Sequence, residues 1–393
     1  MALELDTATS LPEDGEAGTL VGRAWVPGPH AGPSVVVIED GQVFDVSAAA
    51  PTVAHLLDAE APVDLLRGAP RDRPLGSVEA VLANSPRQGR DEIRPWFMAP
   101  CDLQALKACG VTFVASLLER VIEERAQGDP AKSEGIRQSL SDVAGTDIAT
   151  VVPGSPEAER LKAALIERGL WSQYLEVGIG PYAEVFTKAQ PMSAVGTGAD
   201  IGLHPDSVWN NPEPEVVLVI DPRGRIVGAS LGNDVNLRDI EGRSALLLGR
   251  AKDNNASTAI GPFIRLFDET FTLDDVRKAE VRLEIEGADG YRLEGASSMA
   301  EISRDVTDLA AQTINETHQY PDGVMLFTGT MYVPVQDRDR PGEGFTHKIG
   351  DVVRIASGKL GGLVNRVETS DRAPRWDVGA LALMRSLAGR GLI

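Results

Sequence analysis

Apolar and polar positions along the first hundred residues follow the two-residue period of strands, broken by short helical pieces. The segment from Ser34 to Gly41, SVVVIEDG, is a β-branched run closed by an acidic-glycine turn, and DGQVFDVS continues it. This pattern predicts a β-hairpin. Residues 54–66 instead have helical spacing. We therefore predict a small β-rich N-terminal domain over residues 1–100.

The period changes after residue 100. From Leu103 to Ala126 apolar side chains recur at three-to-four spacing, with an interruption at Gly110. This spacing predicts one long amphipathic helix. The next stretch, from Gln127 to Pro156, is polar and rich in turn-forming residues. It is typical of an insertion or a lid rather than of core.

Beyond Trp171 the chain is rich in predicted strands. Glycine and aspartate turns separate apolar runs such as EVVLVID, RIVGASLGNDV, KAEVRLEIEG and GVMLFTGTMYVP, and a single long helix is predicted from Met299 to Gln319. Strands in this number with few helices favour an α+β fold whose sheets curl around a site. We assign residues 101–393 to one catalytic domain.

Composition and charge exclude several classes of protein. The 393 residues include 38 basic and 58 acidic ones, for a net charge of −20. A surface of that sign repels nucleic-acid phosphates and anionic lipids, so neither partner is expected. The acidic N-terminus lacks the pattern of a secretory signal, and we expect a cytoplasmic protein. Cys101 and Cys109, the two cysteines, are expected to be reduced structural thiols.

Three acidic residues are candidates for a metal site. Glu213 and Glu215 stand two apart at the start of an apolar strand, so that both carboxylates project from one face. Asp234 ends the next apolar strand, within reach of the pair if the two strands are neighbours. Mg²⁺ and Mn²⁺ prefer such oxygen ligands. The spacing alone also fits a solvated strand edge and a turn cap.

Two cations follow the acidic residues. Arg238 and Lys252 lie in segments rich in turn formers. Beside a carboxylate site, such residues can bind a substrate carboxylate, and a lysine near a metal can have its pKa lowered enough to act as a base. Surface charges would give the same pattern.

The order of these motifs resembles one protein superfamily. ExE before an apolar strand, GNDVxxRD, a lysine before a turn and GPF, and then TGT, IGDVVRI and GGLVNRV are similar to the fumarylacetoacetate hydrolase superfamily. The resemblance covers roughly Leu103 to Val367. It implies a mixed β-roll catalytic domain with a smaller β-rich N-terminal domain, and a homodimer or a dimer of dimers.

The resemblance also assigns roles to individual residues. It makes Glu213, Glu215 and Asp234 ligands of Mg²⁺ or Mn²⁺, and it matches Lys252 and Arg238 to catalytic positions. For substrate binding it implies three further residues, namely Thr330 in TGT, Lys188 in EVFTKAQP and Ser116.

One position departs from the family pattern. Hydrolases and decarboxylases of the family often carry a His and a Glu one helical turn apart, where this chain has Ser116 and Glu119. A serine hydroxyl cannot replace imidazole as a base near neutral pH, which argues against hydrolysis of a carbon-carbon bond by an activated water. Lys252 and Glu119 remain as the acid and base candidates.

The stretch from Gly232 to Ser257 resembles the subgroup that dehydrates 2-keto-3-deoxy sugar acids. That resemblance implies metal-dependent dehydration of a 2-keto-3-deoxy-pentonate, of the D-xylonate or D-arabinonate series, to 2-oxoglutarate semialdehyde. Two alternatives stay open at this point. One is a carbon-carbon hydrolase or decarboxylase of another 2-oxo acid, and the other is a non-catalytic protein that binds sugar acids.

Overall fold

Two β-sheets form the framework of the protein. A computed structural model describes residues 3–133, 135, 136, 151–167, 169, 171–340 and 344–393. The larger sheet has eleven strands, ten of them in the spatial order β4-β3-β2-β1-β11-β10-β9-β14-β6-β7 with β5 beside β1. Its strands are β1 (Leu20–Val26), β2 (Gly32–Glu39), β3 (Gln42–Asp45), β4 (Pro74–Ser77), β5 (Trp96–Met98), β6 (Ala105–Gly110), β7 (Glu184–Ala189), β9 (Pro214–Ile220), β10 (Ile226–Asp234), β11 (Thr258–Leu266) and β14 (Val324–Phe327).

The smaller sheet has five strands in the order β13-β12-β15-β16-β8. They are β8 (Asp200–Leu203), β12 (Glu280–Glu286), β13 (Arg292–Ser298), β15 (Val352–Ser357) and β16 (Gly361–Thr369). Pairing is antiparallel except between β14 and β6 and between β16 and β8. These mixed sheets and the helices around them confirm the predicted α+β class.

Helices are short and lie around the sheets. Those in the described part of the chain are α1 (Thr7–Ser10), α2 (Val53–Asp58), α3 (Pro62–Gly68), α4 (Val78–Ala83), α5 (Val114–Ala126), α6 (Pro156–Glu167), α7 (Gln173–Ile179), α8 (Arg238–Glu241), α9 (Leu248–Lys252), α10 (Leu273–Arg277), α11 (Val306–Thr313) and α12 (Ala380–Gly389), with 3₁₀ turns at Ala245–Leu247 and Met299–Glu301. Within this part, no helix combines the length and apolarity needed to span a membrane.

Strand β9 is central because both of its faces are buried. Val216 and Leu218 belong to the hydrophobic core that also takes in side chains of the smaller sheet. Val217 and Val219 point the other way, into a core shared with helices α2 and α3. A strand covered on both faces reads as a continuous apolar run, which explains the EVVLVID segment.

The N-terminal strands join the larger sheet directly. Strands β2 and β3 form the predicted hairpin, with Glu39 opposite Gln42. Strand β1 pairs with β2 on one side and, through Leu20 and Val21, with β11 on the other. The sheet therefore runs without a break from the first hundred residues to the strands that carry the acidic residues. The domain boundary at residue 100 stays a prediction.

Three predicted helices differ from the structure. The Leu103–Ala126 segment is strand β6 followed by helix α5. In β6, Leu106 and Ala108 are buried beside β14. The helix was predicted because a short apolar run fits the period of a helix as well as that of a strand. The Met299–Gln319 segment is helical only in a 3₁₀ turn and in α11, which Asp305 caps. Residues 54–66 are two helices that break before Pro62. Half of the predicted insertion at Gln127–Pro156 lies outside the described residues.

Close packing beneath the acidic strands gives a first testable prediction. A Cβ at Gly232 would lie 2.3 Å from the Phe327 ring and 2.6 Å from Val217. We therefore expect Gly232→Ala to lower the free energy of unfolding by about 1–3 kcal/mol, the cost of overpacking a core. Urea denaturation measures this. Gly68→Ala is the control, because nothing lies within 4 Å of a Cβ there; equal stability of both variants would contradict the prediction.

Candidate metal and substrate site

The pairing of β9 with β10 brings the three acidic residues together. Glu215 stands opposite Gly232, and the Asp234 amide donates to the Glu213 carbonyl at 3.1 Å. Opposite residues in an antiparallel pair share a face, and so do residues two apart on one strand. All three carboxylates therefore project to the same side at one end of the sheet.

The carboxylates converge in a buried space. One oxygen from each of Glu213, Glu215 and Asp234 lies within 4.8 Å of the others, and all three side chains are buried. Burial raises the pKa of Glu213 and, together with the neighbouring carboxylates, raises the pKa of Glu215 well above its usual value. The Gly329 amide donates to Glu215 at 2.7 Å and opposes this only in part. The positive charge around the three carboxylates is thus too small to balance their negative charge.

Two buried lysines contact Asp234. The Nζ atoms of Lys188 and Lys252 lie 3.1 and 3.2 Å from Asp234 Oδ1, and Lys252 also donates to Glu213 at 2.7 Å. Burial pushes the pKa of Asp234 upward, but these two ammonium groups outweigh it and hold the pKa below its usual value. Oδ1 still has no hydrogen bond of good geometry, so an acceptor atom is left for another ligand.

The donor set fits a hard divalent cation. Seven carboxylates line the cavity, the three acidic residues included. Two cations, Arg120 and Lys252, line it with them. Two more, Lys188 and Arg238, contact these carboxylates from outside the cavity wall. Buried carboxylates in excess of their counter-charges are costly. A Mg²⁺ or Mn²⁺ ion held by carboxylate oxygens would offset that excess.

Helix α5 presents a charged face to the cavity. Ser116, Glu119, Arg120 and Glu123 all line it, and Arg120 contacts Glu123 at 2.7 Å and Glu213 at 3.4 Å. Arg120 and Glu123 were not predicted, because a charged helix end normally faces solvent. Their spacing from Ser116, at four and seven residues, is the signal that places them on the same face.

Glu241 is a third residue that the sequence did not reveal. It belongs to none of the sequence motifs described above. Its carboxylate, on α8, lines the cavity, and Oε2 lies 2.8 Å from Arg120 and 3.8 Å from Lys252. Together with Glu213 it encloses the Arg120 guanidinium. Burial works against that charge, yet the surrounding carboxylates raise the pKa of Arg120 well above its usual value.

Arg238 lies behind the cavity rather than in its wall. It is 1% exposed, with Nε 2.9 Å from Glu123 and Nη2 3.6 Å from Glu119, and its guanidinium stacks over the Trp209 ring at 5.1 Å. This placement suits a residue that positions the carboxylates of α5. Direct contact with a substrate, which the sequence suggested, is not what this geometry favours.

The predicted substrate-binding residues also divide into two groups. Thr330 and Ser116 line the cavity, although the Ser116 hydroxyl donates to the Phe113 carbonyl of its own helix at 2.8 Å. Lys188 is fully buried outside the wall, where it donates to the Lys252 carbonyl at 2.7 Å. Lys188 is therefore placed to orient Asp234 and the Lys252 segment.

Carboxylates surround the Lys252 ammonium group. Burial tends to lower the pKa of this group, but Asp234 and Glu213 outweigh burial and hold that pKa above its usual value. The lowered pKa that the sequence suggested for a lysine beside a bound metal ion stays a prediction. The cavity has a volume of about 20 Å³, which is the size of a water site. A larger ligand requires the lining side chains to shift.

Comparison with known proteins agrees with this architecture. Residues 176–368 match the family model described as fumarylacetoacetate (FAA) hydrolase C-terminal. This part of the chain, just under half of its length, is similar to the fumarylacetoacetate hydrolase family, and the resemblance inferred from the sequence is confirmed. The matched segment contains β9, β10 and all three acidic residues.

Individual relatives are sugar-acid dehydratases by name. The chain is 31% identical over 185 residues to 2-dehydro-3-deoxy-D-arabinonate dehydratase of Saccharolobus solfataricus, covering 47% of this chain and 58% of that protein. It is 32% identical over 203 residues to a probable 2-keto-3-deoxyxylonate dehydratase of Haloferax volcanii, covering 52% of this chain and 66% of that protein. The alignments thus span less than two thirds of either relative.

A solved structure has the same fold. The complex of 2-keto-3-deoxy-D-arabinonate dehydratase with magnesium and 2,5-dioxopentanoate superimposes with a TM-score of 0.62, over 89% of this chain and 99% of that chain, at 21% identity. Its apo form gives a TM-score of 0.60 at the same identity and coverage.

Proposed function

We propose that this protein is a divalent-metal-dependent hydro-lyase that removes one molecule of water from a 2-keto-3-deoxy-pentonate of the D-xylonate or D-arabinonate series. The product is 2-oxoglutarate semialdehyde, which is 2,5-dioxopentanoate. The observation that carries the proposal is the convergence of Glu213, Glu215 and Asp234 beside the buried Lys252. The names of the relatives give the substrate class its support.

Glu213, Glu215 and Asp234 would hold the metal. When bound, a divalent cation polarises the 2-keto group and so acidifies the protons at C3. The cluster around the cavity then supplies the residues that move protons. Lys252 and Glu119 come from two different helices, α9 and α5, and both line the cavity. One is assigned to remove the C3 proton and the other to protonate the departing C4 hydroxyl.

Other residues bind and orient the substrate. Thr330, three residues after the end of β14, lines the cavity with its buried side chain, and Arg120 offers a guanidinium that is already held by Glu241 and Glu123. A guanidinium in that position can pair with a substrate carboxylate through two parallel hydrogen bonds. Arg238 and Lys188 keep the carboxylates in place from outside the cavity.

Dehydration requires no water-activating imidazole. Ser116 stands at the position where a base would be needed for hydrolysis, and its hydroxyl is bonded to its own helix. We therefore expect Ser116→Ala to keep kcat within about tenfold of the parent, and Glu119→Gln to lower it by about 10²–10⁴-fold, the range for loss of a general acid or base. Steady-state kinetics with the pentonate substrate measure both. A larger loss in Ser116→Ala than in Glu119→Gln would reverse these roles.

The experiment that tests the function is a substrate screen with purified protein and Mg²⁺ or Mn²⁺. The expected result is metal-dependent conversion of a 2-keto-3-deoxy-pentonate to 2-oxoglutarate semialdehyde, with no carbon dioxide or pyruvate released. Carbon dioxide or pyruvate would instead identify a decarboxylase or a carbon-carbon hydrolase. No turnover of any 2-oxo acid with Mg²⁺ or Mn²⁺ would favour a non-catalytic sugar-acid-binding protein.

A further inference from the structure

A second cleft lies apart from the carboxylate cavity and shares none of its lining residues. Its volume is about 400 Å³, within the range of small-molecule sites. Strands β1 and β5, the loop before β8 and the segment before α12 form its walls. We call it the tryptophan cleft, after the three aromatic side chains Trp25, Trp96 and Trp376 that line it.

Two partly exposed tryptophans and one exposed tryptophan form the aromatic wall. Trp25 and Trp96 are opposite each other on the paired strands β1 and β5, with ring centroids 5.7 Å apart and planes inclined by 20°. Trp376 is 47% exposed. These are three of the five tryptophans in the chain. Large flat rings left partly in solvent at one place mark a ligand or interaction site.

Four arginines line the cleft, against three carboxylates. They are Arg23, Arg87, Arg90 and Arg375, against Glu92, Asp200 and Asp377, which leaves a small excess of positive charge in a chain whose net charge is −20. Arg87 is paired with Glu92 at 2.8 Å. Arg90 stacks over Trp96 at 4.7 Å, and in the part of the chain that the structure describes no carboxylate oxygen lies within 4 Å of its guanidinium. Burial lowers the pKa of Arg90 to about 10.

Two of these arginines have N–H groups without a hydrogen-bond partner. The Arg90 Nη2 group donates to the Ser85 carbonyl, but its Nε–H is buried without a hydrogen-bond partner. Arg23 is 3% exposed, its Nε lies 4.0 Å from the Asp102 carboxylate, and its Nη1 donates to the Cys101 carbonyl, while Nη2 has no hydrogen-bond partner. A buried donor without a partner costs free energy, which an incoming acceptor would recover. These two donors favour a ligand that carries anionic oxygens.

We propose that the tryptophan cleft binds a nucleoside phosphate, with the base stacked on the Trp25–Trp96 pair and the phosphate held by Arg90 and Arg23. Guanidinium groups pair with phosphate oxygens through two parallel hydrogen bonds. Indole rings stack on any nucleobase, because every base has a flat π face. The proposal is independent of the reaction assigned to the carboxylate cavity.

The test is a set of titrations of the full-length protein in metal-free buffer, so that no phosphate binds through a cation at the carboxylates. AMP, adenosine and inorganic phosphate are the three probes, and calorimetry and tryptophan fluorescence are the readouts. We expect AMP to bind at least about tenfold more tightly than either fragment, since each lacks one of the two interactions. Equal affinity for AMP and inorganic phosphate would overturn the role of the tryptophans.

Variants locate the site. Arg90→Gln and Trp96→Leu are each expected to weaken AMP binding by at least about tenfold, because a lost charge-assisted hydrogen bond or stacked base is worth roughly 1–3 kcal/mol. Arg282→Gln, at an exposed position on β12, is the control and is expected to leave it unchanged. Melting temperatures show that each variant is folded.

Two results would overturn the proposal. One is the absence of saturable AMP binding, or binding that Arg90→Gln and Trp96→Leu leave unchanged in folded protein. The other is a change in the oligomeric state of Trp376→Ala by analytical ultracentrifugation without any AMP binding to the parent. In that case the tryptophan cleft is a contact between subunits.

Discussion

Glu215→Gln is expected to lower metal-dependent turnover by at least about 10³-fold while leaving the metal-free protein as stable as the parent. The loss of turnover follows because metal polarisation supplies several kcal/mol and each 1.4 kcal/mol is a factor of ten in rate. The stability is kept because a glutamine oxygen can still accept from the Gly329 amide, and because the change removes one of three carboxylates that repel each other.

The measurement combines kinetics with melting curves. In the parent, Mg²⁺ at 100 times its Kd should stabilise the fold by about 2.7 kcal/mol, and Glu215→Gln should lose this gain. Glu280→Gln, on the exposed face of β12, is the matched control. Near-normal turnover of Glu215→Gln with metal present would remove the proposed site.

Asp234→Asn should abolish turnover in the same way but also damage the fold. Its carboxylate is the shared partner of Lys188 and Lys252, and breaking a buried ion pair on one side costs about 3–5 kcal/mol. The contrast between the two variants separates loss of a ligand from loss of structure.

Lys252→Met is expected to lower kcat by about 10²–10⁴-fold, the range for loss of a general acid or base. The metal-induced rise in melting temperature should persist, because Glu213, Glu215 and Asp234 are all intact. Lys188→Met is the comparison: it removes a buried partner of Asp234 that lies outside the cavity wall, so its larger effect should be on stability. If metal no longer raised the melting temperature of Lys252→Met, this lysine would be needed to form the metal site rather than to transfer a proton to or from the substrate.

The acidic triad was accessible from sequence for a physical reason. Glu213 and Glu215 follow the strict two-residue period of a strand, and only a strand neighbour was needed to bring Asp234 to them. Strand pairing then fixed one relative face for all three. The family resemblance supplied the remaining information, because spacing alone could not separate a metal site from a solvated edge.

The remaining charged residues of the site could not be predicted from a local sequence pattern. Arg120, Glu123 and Glu241 carry charge in segments that, read alone, are typical of solvent-exposed helices. Their burial depends on tertiary contacts among α5, α8 and β9 that no local period encodes. Likewise β6 was mistaken for helix, because its burial comes from parallel pairing with β14, more than two hundred residues away.

The junction between β1 and β11 has a consequence for dissecting the molecule. Strand β11 is the neighbour of β10, which ends in Asp234, so the first hundred residues protect the outer edge of β11, one strand away from the acidic triad. A truncated protein beginning near residue 101 would present that edge to other chains as a template for aggregation. Heterologous fusions and minimal versions of this protein should therefore retain the amino-terminal hairpin as part of the catalytic scaffold.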